Sequence, residues 1–367
     1  MKEKLNYIHI VFLLYVVQSN VFLFSVPRIV AENFGTNGWI AFLLCSAAVL
    51  LNIFLYALVY KLGKGRSVFD ILESSLPKAI VYPIYLAVAL FWIALGSFVG
   101  KQYMNVLQTV TFPTTNTMLI YLLYAYMLYL LLTKSIYVIG KASILFFLAT
   151  IWMVALLVYF LPYWDIHNLT PFLFQNAANP VSLKNWLEVY SGFIGYELAV
   201  LLIPYAEADN KLFKGVYWGH LLVTFVYFSV ILVSYGFFGL RYLQAAQFPL
   251  VDLLAFIEFP FINRIENLLL PFFLYKNLMT TVMYCWAAMM MIKRIAPVFK
   301  PKVLEGGIAL ASIGFASYPK LLRDSQLLVR QSIYVEIMLA FAFPLLLMML
   351  LYWQNIRRRG QIHEFEN

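Results

Sequence analysis

Residues 18–28 read Gln18-Ser19-Asn20-Val21-Phe22-Leu23-Phe24-Ser25-Val26-Pro27-Arg28, and residues 191–197 read Ser191-Gly192-Phe193-Ile194-Gly195-Tyr196-Glu197, with Pro204 beyond. Each stretch interrupts an apolar run long enough to cross a bilayer, which takes about 20 residues. Polar groups, glycines, a proline and a carboxylate stand there where lipid-depth helix is expected. Irregular backbone at that depth is tolerated only where protein covers it or where it lines a cavity.

Scanning outward, apolar runs fall at 9–31, 38–60, 79–108, 116–133, 140–162, 185–206, 215–238, 262–292, 303–320 and 333–353. The ninth is the weakest, being cut by Gly306, Gly307, Gly314 and Pro319. Ten runs divide into two fives, and the first of each five carries the breaks. Matching interruptions in two halves point to an inverted-repeat transporter architecture. The expected fold is therefore an all-α integral membrane protein of about ten transmembrane helices, a 5+5 inverted repeat with helices one and six discontinuous. As a single transmembrane domain, 1–162 forms the first repeat, 163–184 an outer loop, 185–353 the second repeat and 354–367 a cytoplasmic tail.

Composition agrees. Of 367 residues, 63% are hydrophobic and 12% charged, with mean hydropathy +0.82; soluble domains carry about 25% charged residues. A soluble enzyme, a nucleic-acid binder and a disordered chain are excluded. The net charge of +9 is explained by placement. Lys61, Lys64, Arg66, Lys78, Lys134, Lys141, Lys211, Lys214, Lys293, Arg294, Lys300, Lys302 and Arg357 to Arg359 join Lys2 and Lys4 on one side. The other side holds only Lys184, Arg241, Lys320, Arg323 and Arg330. The positive-inside rule then puts both termini in the cytoplasm. The long outer connections, 164–186 and 240–262, are expected to hold short surface helices, with Phe172, Phe174, Phe248, Phe256 and Phe259 facing lipid or protein.

The breaks define the candidate ligand site. Freed N–H groups at the start of one half-helix attract a carboxylate, and freed carbonyls at the end of the other attract an ammonium. An amino-acid zwitterion satisfies both. Ser19, Asn20, Phe22 and Phe24 from the first break and Gly192, Phe193, Gly195, Tyr196 and Glu197 from the second are the candidate contacts. Ser97 and Gly100, on a small-residue face of helix three, and Thr280 in helix eight complete the set. Charges inside the bilayer cost about 2.5–3.5 kcal/mol on insertion scales, so each asks for a reason. Glu197 reads either as a binder of ligand ammonium or proton, or as a structural partner to another helix. Arg28 either gates with Glu32 or snorkels. Lys101 and Lys276 are candidates for proton linkage, Lys276 alternatively pairing with Glu266. Cys45 and Cys285 read as core residues, and His9, His167, His220 and His363 lack metal-ligand spacing. No metal, cofactor or catalytic constellation is expected.

Val26-Pro27-Arg28 with Gly38-Trp39, Gly192 to Glu197 with Pro204-Tyr205, Asn168-Leu169-Thr170-Pro171, and Ile262-Asn263-Arg264-Ile265-Glu266 together resemble the endospore germination permeases. These are the B subunits of spore nutrient-germinant receptors, in the amino acid–polyamine–organocation superfamily. The resemblance implies a leucine-transporter-like fold, a nutrient pocket between helices one, three, six and eight, and residence in the spore inner membrane. It also implies A and C receptor subunits as partners. Many relatives hold sodium between helices one and eight, where Lys276 would substitute its own ammonium. Transporting relatives place small residues in the first break; Asn20-Val21-Phe22-Leu23-Phe24 is bulky, which fits a sensor better than a conduit. The leading reading is thus a nutrient-sensing receptor subunit, the nutrient most simply an amino acid. Proton-coupled amino-acid transport is the alternative, and a structural subunit with a decayed pocket a third.

Overall fold

A computed structural model describes residues 4–169, 172–178, 180–207, 211–257 and 265–365, with side chains to 357. Thr170, Pro171, Phe259, Ile262, Asn263, Arg264, Lys2 and the side chains of Arg358, Arg359 and His363 lie outside the described residues. Span one is a pair of helices, Tyr7–Gln18 and Phe22–Phe34, bent by 60° at the break. Span two is Trp39–Leu62 and span three Lys78–Val110. Span four is the short Thr117–Leu132, and span five runs over Ile136–Tyr163. Span six covers Leu183–Tyr205 and span seven Leu212–Ala245. Span eight is Ile265–Ile295, span nine the short Pro301–Ser317 and span ten begins at Leu322. Seven of these, and an eighth as the bent pair, are long and apolar enough to cross a membrane; spans four and nine are the shorter ones.

Helices in lipid associate through close packing more than through hydrophobic exclusion. Span seven shows how. Gly215 and Gly219 lie four apart on one face, and a Cβ on Gly219 would stand 2.7 Å from the Val11 carbonyl and 2.8 Å from Leu14 Cβ. Only glycine lets span seven press this closely on the first half of span one, fixing the half-helix that leads into the break.

Several boundaries differ from the sequence reading, each for a local reason. Between spans two and three lies an unanticipated helix, Val68–Ser75, started by Ser67, whose side chain accepts from the Asp70 amide. Its apolar residues Val68, Phe69, Ile71 and Leu72 turn inward. The segment ahead of residue 333, expected as a polar outer connection, is already helix from Leu322. One of its charges, Arg330, is paired with Glu188 of span six. The second long connection, expected on the outer side, does hold a helix, Pro249–Ala255, but Pro249, Leu250, Val251, Leu253 and Leu254 are buried together with Phe248, while Phe256 is exposed. In the first, ahead of the start of span six at Leu183, the only helix among the described residues is the single turn Ile166–Asn168. There Phe172 is exposed, while Phe174 packs on Phe34 and Trp186. The later halves of spans five and six wind as 3-10 helix, Trp152–Tyr163 and Tyr196–Tyr205, which no periodicity in these apolar runs announced.

Candidate functional site

The two breaks meet at the centre of the bundle. In span one the helix stops at Gln18, and residues 19–21 turn the chain before it restarts at Phe22. In span six, Ile194 and Gly195 separate two helical pieces, and Gly195 adopts φ +119° with the Val17 side chain against it. A Cβ there would stand 2.7 Å from Val17 Cγ1. Backbone conformation and space both demand glycine at this point. Gln18 Nε2 donates to the Phe193 carbonyl at 2.5 Å and so joins the breaks directly.

The freed backbone groups were expected to await a ligand. The structure fills many of them from within. Asn20 Oδ1 accepts from the Phe22 amide, and the Asn20 and Val21 carbonyls accept from the Leu23 and Phe24 amides. At the end of the first half-helix, Thr280 Oγ1 donates to the Val17 carbonyl at 2.7 Å and Tyr227 Oη to the Gln18 carbonyl at 3.0 Å. In span six the Gly195 amide donates to Glu197 Oε2 at 2.8 Å. Leaving such groups unpaired in hydrocarbon costs several kcal/mol each, so these side chains allow the breaks to persist without an ion.

Lys276 stands between spans one and eight. Its ammonium donates to Tyr15 Oη at 2.9 Å and Ser19 Oγ at 3.1 Å, and lies 4.7 Å from the Tyr15 ring centroid. Those contacts, rather than a pairing with Glu266, account for it. Thr280 shares its side of the helix; Thr281 instead bonds Tyr124 and the Gly96 carbonyl.

From the break of span one a cavity of about 370 Å³ leads toward the side opposite the helix Val68–Ser75. Asn20, Phe22, Ser25, Arg28 and Glu32 line one wall. Glu188 and Ser191 of span six, Gln102 of span three, and Arg323 and Arg330 of span ten are the polar residues among those facing it. Arg28 and Glu32 are 3.8 Å apart on one helix turn, so they cannot bridge helices. The pairing that does is Arg330 Nη1 with Glu188 Oε1 at 2.9 Å. Tyr334 Oη also donates to Oε1, and Asn33 Nδ2 donates to Oε2, so Glu188 ties spans one, six and ten together. Arg28 Nε, buried, finds no hydrogen-bond acceptor among the described residues.

Of the residues singled out from sequence, Ser19, Asn20, Phe22, Gly192, Gly195, Thr280, Lys276 and Arg28 gather at the breaks or this vestibule. Gly192 faces Phe22 closely. Phe193 supplies its carbonyl there, while its ring packs on Phe42 and His220. The others point elsewhere. Phe24 packs on Tyr103 and Phe273; Ser97 bonds Ser312 of span nine; Gly100 abuts Tyr124 of span four. Tyr196 bonds Tyr190 and Asn52, and Lys101 is buried in span three with no hydrogen bond or ion pair among the described residues. Glu197 turns away from the vestibule toward a second cavity, accepting from Tyr284 Oη at 2.9 Å. Sequence reasoning missed Glu188, Arg330 and Glu336. Glu188 and Glu336 each carried a signal there, being carboxylates inside the apolar runs 185–206 and 333–353. Among the described residues no group of His, Cys, Asp and Glu is placed to hold a metal.

The model of the family described as "Spore germination protein" matches residues 4–323. The chain belongs to the spore germination protein family. Among its relatives, spore germination protein GerQB of Bacillus cereus is 25% identical over 283 residues, 74% of this chain and 75% of the relative. Spore germination protein A2 of Bacillus subtilis (strain 168) is 24% identical over 274 residues, 72% of this chain and 73% of that one. Among solved structures, Mhp1, a nucleobase-cation-symport-1 family transporter in a closed conformation with bromovinylhydantoin bound, superposes with TM-score 0.60. It shares 12% identity over 89% of this chain and 75% of its own, which establishes a shared fold. This member of the spore germination family thus has a multi-pass transporter-like bundle with discontinuous first and sixth spans.

Proposed function

We propose that this family member is the nutrient-sensing subunit of a spore germinant receptor, binding a small carboxylate-bearing nutrient, most simply an amino acid, where the vestibule meets the breaks. The observation that carries it is an unsatisfied buried group on the vestibule wall. Arg28 Nε is a buried donor without an acceptor, suited to a carboxylate. Gln18 Oε1, buried at the end of the first half-helix and behind the residues that line the vestibule, is an acceptor without a donor among the described residues. Buried polar atoms of this kind ask for a partner. Lys276 stands in for a coupling cation by holding Tyr15 and Ser19 with its own charge, which favours a switch over a sodium-driven pump. The ligand shifts the equilibrium between bundle conformations by its differential affinity for them, and A and C receptor subunits read that shift. The termini face the cytoplasm, in the spore inner membrane. Proton-coupled amino-acid transport is the second reading, favoured by the likeness to a transporter fold.

Deleting the gene in its host and scoring nutrient-triggered germination beside proton-dependent amino-acid uptake by growing cells tests the reading. Loss of response to a particular nutrient with unchanged uptake is the expected result. Lost uptake with normal germination would overturn it in favour of the transporter.

A further inference from the structure

Span three meets the vestibule through Val99 and Gln102, three residues apart and therefore on one face of the helix. Gln102 is half-buried, its Oε1 is buried without a donor, and its Nε2 makes no hydrogen bond either among the described residues. Other polar side chains of the wall are engaged within the protein. Ser25 Oγ donates to the Phe22 carbonyl at 3.4 Å and Ser191 Oγ to the Glu188 carbonyl at 2.6 Å, while Asn20 Oδ1 accepts from the Phe22 amide. The Glu188 carboxylate is saturated, with Arg330 and Tyr334 on Oε1 and Asn33 on Oε2. Tyr103, next to Gln102 in the chain, turns away and bonds the Leu270 carbonyl of span eight.

Depth separates Gln102 from the carboxylates. The Phe24 and Tyr103 rings stack with centroids 6.1 Å apart, which sets this turn of span three beside residues 24–25 of span one. Asn33 reaches Glu188, so Glu188 and Glu32 stand toward the outer end of that helix. At a rise of 1.5 Å per residue, Arg28 lies about 5 Å outward of the Gln102 level, and Glu32 about 6 Å further toward the mouth. A molecule whose carboxylate rests on Arg28 and whose body points at the break therefore carries its α-substituent to Gln102, with Glu32 behind it.

An ammonium has three N–H donors and no acceptor, and an amide offers both an acceptor and a donor end. Turning the amide end for end changes its shape little. Resting on the vestibule as the nutrient site, we infer that Gln102 makes that site specific for a free α-ammonium. Its Oε1 accepts from the ammonium of an amino acid whose carboxylate lies on Arg28. A carboxylate lacking the ammonium leaves the oxygen unpaired, as it stands in the empty protein. An N-acylated amino acid brings one N–H and the bulk of an acyl group to the same place.

The test is equilibrium binding to the purified full chain in phospholipid nanodiscs, with the common amino acids each set beside its desamino acid, its N-acetyl derivative and its carboxamide. At least one amino acid should bind about tenfold or more tighter than its desamino and N-acetyl counterparts. Gln102→Leu should erase that gap while the preference over the carboxamide, set by Arg28, survives and shows the variant to be folded. Gln102→Glu, which keeps an acceptor, should keep the gap. The unfolding midpoint of the empty Gln102→Leu protein should hold or rise, because an unpaired buried oxygen is removed; a fall would make the amide structural and overturn the inference. Binding of no amino acid would overturn the vestibule reading and this inference together. With carboxylate preference present and lost in Arg28→Gln, three results would overturn the inference alone: no gap in the wild type, a gap untouched by Gln102→Leu, or a gap lost only in Glu32→Gln, which moves the ammonium to the mouth.

Discussion

Gln18 Nε2 and the Phe193 carbonyl, 2.5 Å apart, join the break of span one to the break of span six. The two interruptions are one structural unit: displacing either helix half pulls on the other. Gln18→Leu removes the donor from a buried carbonyl, a loss of about 1–3 kcal/mol. Thermal unfolding in detergent should show a lower midpoint, and germination should require more nutrient. An unchanged midpoint and dose response would separate the breaks.

Lys276→Met should behave differently. Methionine fills most of the volume without a buried charge, so the protein should accumulate normally or be more stable, as when buried ions are replaced by apolar residues. Tyr15 and Ser19 lose a charge-assisted donor, worth about 1.5–3 kcal/mol, and the nutrient response should fall about tenfold or more. Immunoblotting of spores alongside germination curves checks this; full response at normal abundance would contradict the role given to Lys276.

Two glycines make a controlled pair. Gly195→Ala places a side chain in a left-handed conformation, at about 1–2 kcal/mol, and against Val17 Cγ1. Gly306→Ala on span nine meets nothing within 4 Å and gains helix propensity of up to about 1 kcal/mol. Melting curves should fall for the first and hold or rise for the second.

The Glu188–Arg330 bridge is partly exposed, so its contribution to stability should be within about 1 kcal/mol. Its effect should appear in access instead. Arg330→Ala should speed the onset of germination at low nutrient, and Glu188→Ala should loosen Asn33 and Tyr334 as well and act more strongly. A double-mutant cycle on onset rates measures the coupling.

The architecture was legible because breakers at lipid depth are costly. Gln18-Ser19-Asn20 and Gly192 to Gly195 could be read as interruptions from residue type alone, and the break of span six does fall at Gly195. Which side chains fill the freed backbone groups was not legible. Tyr227 and Thr280 cap span one from helices hundreds of residues away, and no local pattern marks a hydroxyl that will find a carbonyl. Ser97 and Gly100 were read as pocket residues because small side chains permit close approach, but what approaches is another helix: Ser312 in one case and Tyr124 in the other. Arg28 and Glu32 were paired by spacing, whereas the bridge across helices depends on Glu188 and Arg330, which only the tertiary fold brings together. The 3-10 winding of Tyr196–Tyr205 begins directly after the turn at Gly195, and no local pattern in this apolar stretch marks it.

The most direct measurement of the central claim is equilibrium binding of the common amino acids and their carboxamides to the purified full chain, with wild type and Arg28→Gln side by side. The account predicts that at least one amino acid binds, about tenfold or more tighter than its carboxamide, and that Arg28→Gln removes that preference while the protein stays folded. No amino acid binding, or a carboxylate preference untouched by Arg28→Gln, would contradict it.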